Sequence, residues 1–386
     1  MQNEQLVSKL NDRRLRVRLK ALKTLSVNDI TADNPYSVDR NINYVFRTIY
    51  SCFDRTPSLA VYYTKKFGMP LTAIVDYASL ASANELIKAE KIVGGLYYCG
   101  TEVAVKTKEG KRIILSAVGV PHKNVKIFND ELASYRGKRL AFTNALREKL
   151  NARFKKYSIS LPYAFWTLFG TVKTTSLEDL YVNLASSVMQ KYQTGEAITS
   201  FLINDLKIEL EEEELKKLED ASSTFYVFDL AYALKNKLAI KQPEEALNTA
   251  EDFIELSKKY GAITSATYKG GDLDEFLAEI KALGLNSVTA EFSNDQAFMR
   301  EFYDKCIAQD VLPIIRTLVS HPRKRLDGTF EDLELAKKYT DNTLCLVGHE
   351  IASSFDPEDG MFTPKTIQQF PSLEERIKLF SRVGTK

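Results

Sequence analysis

Histidine is scarce in this chain of 386 residues, which contains only three, at positions 122, 321 and 349. None of them pairs with another at His-x-His or His-x-x-x-His spacing. Because clustered imidazoles are the usual ligands of zinc and related metals, this spacing argues against a dense histidine metal cluster. There is also no Gly-x-Ser-x-Gly elbow, no Gly-x-Gly-x-x-Gly loop and no phosphate-binding loop of the Walker type.

Cysteine is equally sparse. The chain has four, none in a Cys-x-x-Cys pair: Cys52, Cys99, Cys306 and Cys345. Each lies in an apolar stretch, which favours buried, reduced thiols and leaves a disulfide or a zinc site as the alternative. No apolar run approaches the ~20 residues of a membrane span, and the polar, basic start of the chain lacks the apolar core of a secretory signal. These absences predict a cytoplasmic protein without membrane contact.

The charge is nearly balanced, with 53 basic and 51 acidic residues and a net charge of +2. This value is too small to indicate nucleic acid as a partner. The composition, 44% hydrophobic and 27% charged, is typical of a globular protein with a large core. The length allows two or three domains, or a single α/β barrel.

The first part of the chain carries a basic helical pattern. Leucines at residues 4–25 approximate an amphipathic stripe, interrupted by Arg13, Arg14, Arg16 and Arg18. We expect these arginines to lie on a solvated helix face, with contact to phosphate or RNA as the alternative.

An alternation of strands and helices begins at residue 41. The pattern predicts strands at 41–50, 70–76, 95–105, 112–120, 262–268, 286–292, 311–318 and 343–348. It predicts helices at 57–67, 82–92, 129–155, 243–259, 272–283, 294–309 and 372–382. Strands that alternate with helices of this length favour a parallel sheet with helical crossovers.

Residues 172–237 interrupt this alternation, because their pattern is almost wholly helical. We interpret them as a helical insertion or cap, whose acidic run at 209–214 is a solvated helix face. The sequence therefore predicts an N-terminal helical extension at 1–35 and a barrel in two parts, 36–171 and 238–386, around the insertion.

Function in such a barrel is expected at the carboxyl ends of the strands. Asp76 ends one predicted strand and is either a helix cap or a ligand. Glu102 lies inside an apolar strand, where a carboxylate needs a cation or hydrogen-bond donors because burial of an unpaired charge is costly.

Several motifs occur in the order found in one family. They are NYVFRTIYS at 43–51, Pro57 at the start of a helix, IVDY at 74–77 and GTEVAV at 100–105. In these motifs the chain resembles the PHP (polymerase and histidinol phosphatase) family over residues 40–380. It is most similar to uncharacterised bacterial members, through GVPHKNV at 119–125, the helical insertion, Pro322–Arg323 and Gly348–Glu350.

The resemblance implies a distorted (β/α)7 TIM-like barrel and phosphoester hydrolysis by a cluster of divalent metal ions. At the family's ligand positions this chain differs. Val45 and Arg47 stand in place of the His-x-His pair, Tyr77 follows Asp76 in place of histidine, and Thr267 replaces another histidine. Asp76 and Glu102 are retained, and His321 is retained in one of two alignments.

The resemblance therefore implies a non-catalytic protein that binds a ligand or partner, without a cofactor. The alternative is a metal-dependent phosphoesterase whose reduced site holds Mn, Zn, Fe or Mg on Asp76, Glu102 and either His321 or His349. A phosphorylated small molecule is the expected partner. The candidate pocket residues are Arg47, Asp76, Tyr77, Glu102, Thr267, His321, Arg323 and His349.

Arg47 carries a specific prediction. Two carboxylates without their cations would raise each other's pKa, so a positive group should replace the metal. We expect Arg47 to form an ion pair with Asp76 or Glu102. The alternatives are that Arg47 points to solvent, or that it holds a ligand phosphate.

Overall fold

A closed barrel of seven strands forms the centre of the protein. The structure, a computed structural model, describes residues 2–27, 39–51, 55–161, 176–223, 225–319 and 328–385. Its strands are β1 Tyr44–Phe46, β2 Leu71–Tyr77, β3 Leu96–Lys106, β4 Arg112–Val118, β5 Asn248–Thr249, β6 Ile263–Thr267, β7 Ser287–Glu291 and β8 Leu312–Val319. The barrel order is β2-β1-β8-β7-β6-β4-β3, closed by pairing of β3 with β2, and the short β5 adds to the end of β3.

Strand β4 departs from the predicted parallel arrangement. It runs antiparallel to both neighbours, with Glu102 opposite Ser116 and Ser116 opposite Ser265. The connection from β3 to β4 is a short turn that contains Gly110 at φ 82°. Such a turn can join antiparallel strands only, because a parallel crossover needs a dozen or more residues. The barrel is therefore mixed, and the predicted uniform parallel sheet is wrong at this strand.

Helices cover the outside of the barrel and form a separate group beside it. In chain order they are α1 Gln2–Lys9, α2 Leu15–Val27, α3 Pro57–Phe67, α4 Ala83–Val93, α5 Val125–Glu131, α6 Ala133–Phe154, α7 Leu177–Tyr192, α8 Glu196–Ser200, α9 Glu212–Glu219, α10 Tyr226–Lys237, α11 Ala250–Lys259, α12 Leu273–Ala282, α13 Gln296–Ala308, α14 Leu333–Phe355, α15 Pro364–Gln369 and α16 Leu373–Gly384. In the described part of the chain, none of them is long and apolar enough to cross a membrane.

Several predicted elements have different limits. The strand predicted at 41–50 is reduced to β1, the helices predicted at 4–25 and 129–155 are each two helices, and α11 begins later than residue 243. The strand predicted at 343–348 lies inside α14, where its side chains are buried against the barrel and α16. A short apolar run that is buried on all sides has no periodicity to distinguish a helix from a strand.

The amino end of the barrel is closed by apolar packing. Val45, Ala73 and Ile314 on the inner faces of the strands contact α14 and α16 in one hydrophobic cluster. The two helices approach closely at Gly348, where an added Cβ would lie 1.9 Å from the Phe380 carbonyl oxygen. The inner strand residues at this end of the barrel are therefore covered by apolar side chains.

The helices beside the barrel have a hydrophobic core of their own. It contains Leu184, Phe201 and Leu230 from α7 to α10, and also Leu146 and Phe154 from α6. This core therefore includes residues of α6, which precede the predicted start of the insertion at residue 172. The division of the chain into domains stays a prediction. The acidic run is solvated as predicted.

Three of the cysteines, Cys99, Cys306 and Cys345, are buried free thiols, as predicted. The fourth, Cys52, lies outside the described residues.

An ion pair attaches the N-terminal helices to the barrel. Arg18 on α2 is 3% exposed, and its Nε donates to Glu85 Oε1 on α4 over 2.8 Å. Ser58 donates to the same oxygen from its backbone nitrogen and its hydroxyl, at 3.1 and 2.7 Å. The expectation that all four arginines of this segment are solvated is therefore wrong for Arg18.

We predict that Arg18→Met lowers the free energy of unfolding by about 3–5 kcal/mol, because it leaves the buried Glu85 carboxylate without its cation. Urea denaturation measures this change. Arg16→Met, at an exposed position of the same helix, is the matched control and should stay within about 0.5 kcal/mol of the wild type. Equal losses in both variants would contradict the role of the ion pair.

Candidate functional site

A cavity of about 870 Å³ opens at the carboxyl ends of the barrel strands, beside the first turn of α7. Its charged lining residues are Arg47, Arg112, Arg139, Lys269 and Arg316 on the positive side and Glu102, Glu178 and Glu291 on the negative side. Five cations against three carboxylates leave the described walls with a positive excess. Such a concave, positively charged space at the open end of a barrel suits an anionic ligand.

Glu102 lies between two arginines at the base of this cavity. Arg47 Nη2 donates to Glu102 Oε1 over 2.6 Å, and Arg316 Nη2 donates to Glu102 Oε2 over 2.5 Å. Arg316 is 4% exposed and Glu102 is 5% exposed. The predicted ion pair of Arg47 with a barrel carboxylate is therefore confirmed for Glu102, and we refer to these three residues as the Arg47–Glu102–Arg316 triad.

The sequence reasoning missed Arg316, although a signal was present. Arg316 is the single charged residue in the apolar strand LPIIRTLV, just as Glu102 interrupts an apolar strand. Two opposite charges buried in neighbouring parts of one barrel are expected to pair, because each alone is costly. Four further charged residues of the cavity, Arg139, Arg112, Lys269 and Glu178, were also missed, because they come from elements that only the fold brings together.

The two guanidinium groups control the ionisation of Glu102. Burial alone would raise the pKa of this carboxyl, but Arg316 and Arg47 outweigh it and hold the pKa at about 2. In the same way, burial alone would lower the pKa of Arg316, but the Glu102 carboxylate outweighs this effect and raises the pKa above its usual value. Glu102 and Arg316 therefore stay ionised at any physiological pH.

Asp76 does not face the cavity. Successive side chains on a strand point to opposite faces, and on β2 it is Tyr77 that lies beside Glu102 in the cavity wall. Asp76 instead accepts hydrogen bonds from the Thr48 backbone nitrogen and hydroxyl, both at 2.7 Å, and from the Ser51 hydroxyl at 2.6 Å. The expectation that Asp76 and Glu102 share one pocket is wrong, and Asp76 instead holds the loop after β1.

Tyr77 and Thr267, two further predicted residues, line the cavity with Arg47 and Glu102. The Arg139 guanidinium lies over the Tyr77 ring at 5.1 Å. The Thr267 hydroxyl is buried without a hydrogen-bond partner in the described structure. Four of the eight predicted residues thus meet at the barrel mouth.

His349 is placed elsewhere. It lies on α14 at the amino end of the barrel, where Nε2 donates to the Gly261 carbonyl over 2.8 Å and Nδ1 accepts from the Met361 amide over 3.0 Å. Burial lowers its pKa to about 4, so the ring is neutral at physiological pH and both nitrogens are engaged in structural bonds. The expectation that His349 lies near a strand's carboxyl end is wrong, since residues 343–348 are helical. His321 and Arg323 lie outside the described residues.

The donors in the described walls do not fit a divalent metal cluster. No group of three or more His, Cys, Asp or Glu side chains converges among the described residues. Both oxygens of Glu102 accept from guanidinium groups, and the fixed positive charges of Arg47 and Arg316 repel a cation at this point. A metal would have to displace the triad before it could bind Glu102.

No protein-family model matches the chain, and no curated protein matches it significantly. Solved structures share its fold, among them the following two. A candidate metal-dependent phosphoesterase from Bifidobacterium adolescentis is 19% identical, with a TM-score of 0.51 over 78% of this chain and 96% of its own. An amidohydrolase from Chromobacterium violaceum, with bound sulfate and no metal, is 14% identical, with a TM-score of 0.51 over 77% of this chain and 96% of its own. These similarities support a TIM-like barrel fold.

We predict that Glu102→Gln lowers the free energy of unfolding at pH 7 by about 3–5 kcal/mol, because two guanidinium groups in the barrel mouth lose their counter-charge. Glu291→Gln is the matched control, since Glu291 contacts the same Arg316 at 3.6 Å but is 44% exposed. It should change stability by less than about 1 kcal/mol.

A comparison of the wild type with Glu102→Gln also gives a pH prediction. The pKa of Glu102 is about 2 in the folded protein, below its unfolded value, so the unfolded chain takes up a proton first as the pH falls. The stabilisation by Glu102 is complete above about pH 4.5 and is lost as the pH falls towards about 2. Between pH 5 and pH 3 the wild type should lose about 2 kcal/mol more stability than Glu102→Gln. Parallel pH profiles of the two proteins, measured by urea denaturation, would contradict the lowered pKa.

Proposed function

We propose that this protein binds a phosphorylated small molecule at the barrel mouth and does not hydrolyse it through bound metal ions. The observation that carries the proposal is the Arg47–Glu102–Arg316 triad, which places guanidinium groups around the carboxylate that a metal ion would otherwise need. Arginine presents planar, paired N–H donors that match the oxygens of a phosphate group. The cavity would therefore keep the family's preference for phosphate while it uses arginine in place of metal.

The other cations around the cavity support this proposal. Lys269 is exposed, and no carboxylate of the described residues lies within ion-pair distance of it. Arg112 and Arg139 share one carboxylate, Glu245, at 3.4 and 2.9 Å. The cationic walls are thus only partly neutralised by the protein itself, and an anion would complete the charge balance.

Burial in the triad gives further support. The Nε atom of Arg47 is buried without a hydrogen-bond partner in the described structure, and Arg47 exposes 14% of its side chain at the cavity. Unsatisfied polar groups at a cavity wall cost free energy that a ligand can recover. One of the structural neighbours was crystallised with sulfate and without metal. Sulfate has the tetrahedral shape of phosphate, so the same barrel fold is compatible with a metal-free oxyanion complex.

Titration calorimetry with inorganic phosphate tests the binding. We predict that Lys269→Ala weakens phosphate affinity about fivefold, which corresponds to about 1 kcal/mol, because it removes one exposed cation without breaking an ion pair. Lys281→Ala, an exposed lysine at the C-terminal end of α12, should leave the affinity unchanged. Failure of the wild type to bind phosphate would overturn the proposal.

A second measurement tests the metal part of the proposal. Elemental analysis of protein purified without chelator should find no stoichiometric manganese, iron or zinc, because the triad opposes a cation. A stoichiometric metal content, together with metal-dependent hydrolysis of a phosphate ester, would instead support the alternative of a phosphoesterase with a rebuilt site.

A further inference from the structure

A second, smaller recess lies beside the basic cavity, between α7 and α10. It has a volume of about 250 Å³, and its uncharged walls are the rings of Tyr181, Phe228 and Tyr232 with the side chains of Val182 and Ala231. Tyr232 is 63% exposed. The recess is therefore apolar and largely aromatic, in contrast to the charged cavity.

The two spaces share a wall. Glu178 lines both the basic cavity and the recess. On α7, Leu177 and Glu178 face the cavity, and Tyr181 and Val182, one turn further, face the recess. Residues three and four apart lie on one face of a helix, so a single face of α7 runs from the charged space to the aromatic one.

The charge at the junction is neutralised within the protein. Lys235, which also lines the recess, donates to Glu178 Oε1 over 2.5 Å. Without this ammonium the Glu178 carboxylate would repel an anion in the neighbouring cavity. With it, the wall that the two spaces share carries no unpaired negative charge.

We infer that the ligand is an aryl phosphate, with its phosphate in the basic cavity and its aromatic ring in the recess between α7 and α10. This inference rests on the proposed phosphate-binding function. The size is adequate, since a cavity of ~150 Å³ already holds a benzene ring. Aromatic walls favour an aromatic occupant, because offset and edge-to-face ring contacts add stabilisation beyond the burial of apolar area.

A pair of ligands with the same charged group separates the two parts of the site. Titration calorimetry with phenyl phosphate and methyl phosphate should show that the wild type binds the phenyl ester about tenfold more tightly. Tyr232→Ala should reduce this preference to about threefold or less and leave methyl phosphate affinity unchanged. Because Tyr232 is mostly exposed, the variant is expected to fold.

Two further variants complete the test. Phe355→Ala removes another exposed aromatic ring, 87% exposed on α14, and should leave both affinities unchanged. Val182→Trp fills the recess and should weaken phenyl phosphate binding alone. Equal wild-type affinities for the two esters, or an equal loss of both in Tyr232→Ala, would overturn the inference while the phosphate site stands. If neither ester nor inorganic phosphate binds, the proposed function fails and the inference fails with it.

Discussion

Glu102 shares its two carboxylate oxygens between Arg47 and Arg316, and this arrangement determines the chemistry of the barrel mouth. The three residues come from β3, from the end of β1 and from β8, which are far apart in sequence. A buried carboxylate is tolerated only with compensating charge, and a guanidinium group keeps its charge at every physiological pH. The pair of arginines therefore fixes Glu102 as an ionised structural group, and a metal ion cannot use this carboxylate unless the arginines move.

The two ends of the barrel differ in the side chains that the strands turn inward. At the amino end, α14 and α16 cover the inner strand residues with apolar side chains, and the close contact at Gly348 leaves little space between them. His349 lies at that end with both ring nitrogens bound to backbone groups. At the carboxyl end, the inner faces of the strands carry charged residues, and α7 brings Glu178 over the opening. The inner faces of the strands therefore change from apolar at the amino end to charged at the carboxyl end, where the Arg47–Glu102–Arg316 triad lies.

Much of the local structure could be predicted from the sequence because it depends on local patterns. The helix predicted at 57–67 has these limits in the structure, since Thr56 caps its start and Gly68 ends it in a left-handed conformation at φ 66°. The ion pair of Arg47 was predicted because the family resemblance places Arg47 at a metal-ligand position, and because a carboxylate in an apolar strand needs a cation. The limits of α14 were not predictable, because its apolar run is buried on all sides and has no strand or helix period.

The sequence by itself determined the α/β character, the scarcity of histidine and cysteine, and the need of Glu102 for a positive partner. Only the tertiary structure decided that Tyr77 and not Asp76 faces the cavity, and that Arg316 completes the triad. The physical reason is that composition and periodicity describe each element alone. The face that a strand turns towards the cavity, and the partner that a buried charge meets, depend on contacts between residues that are distant in the chain.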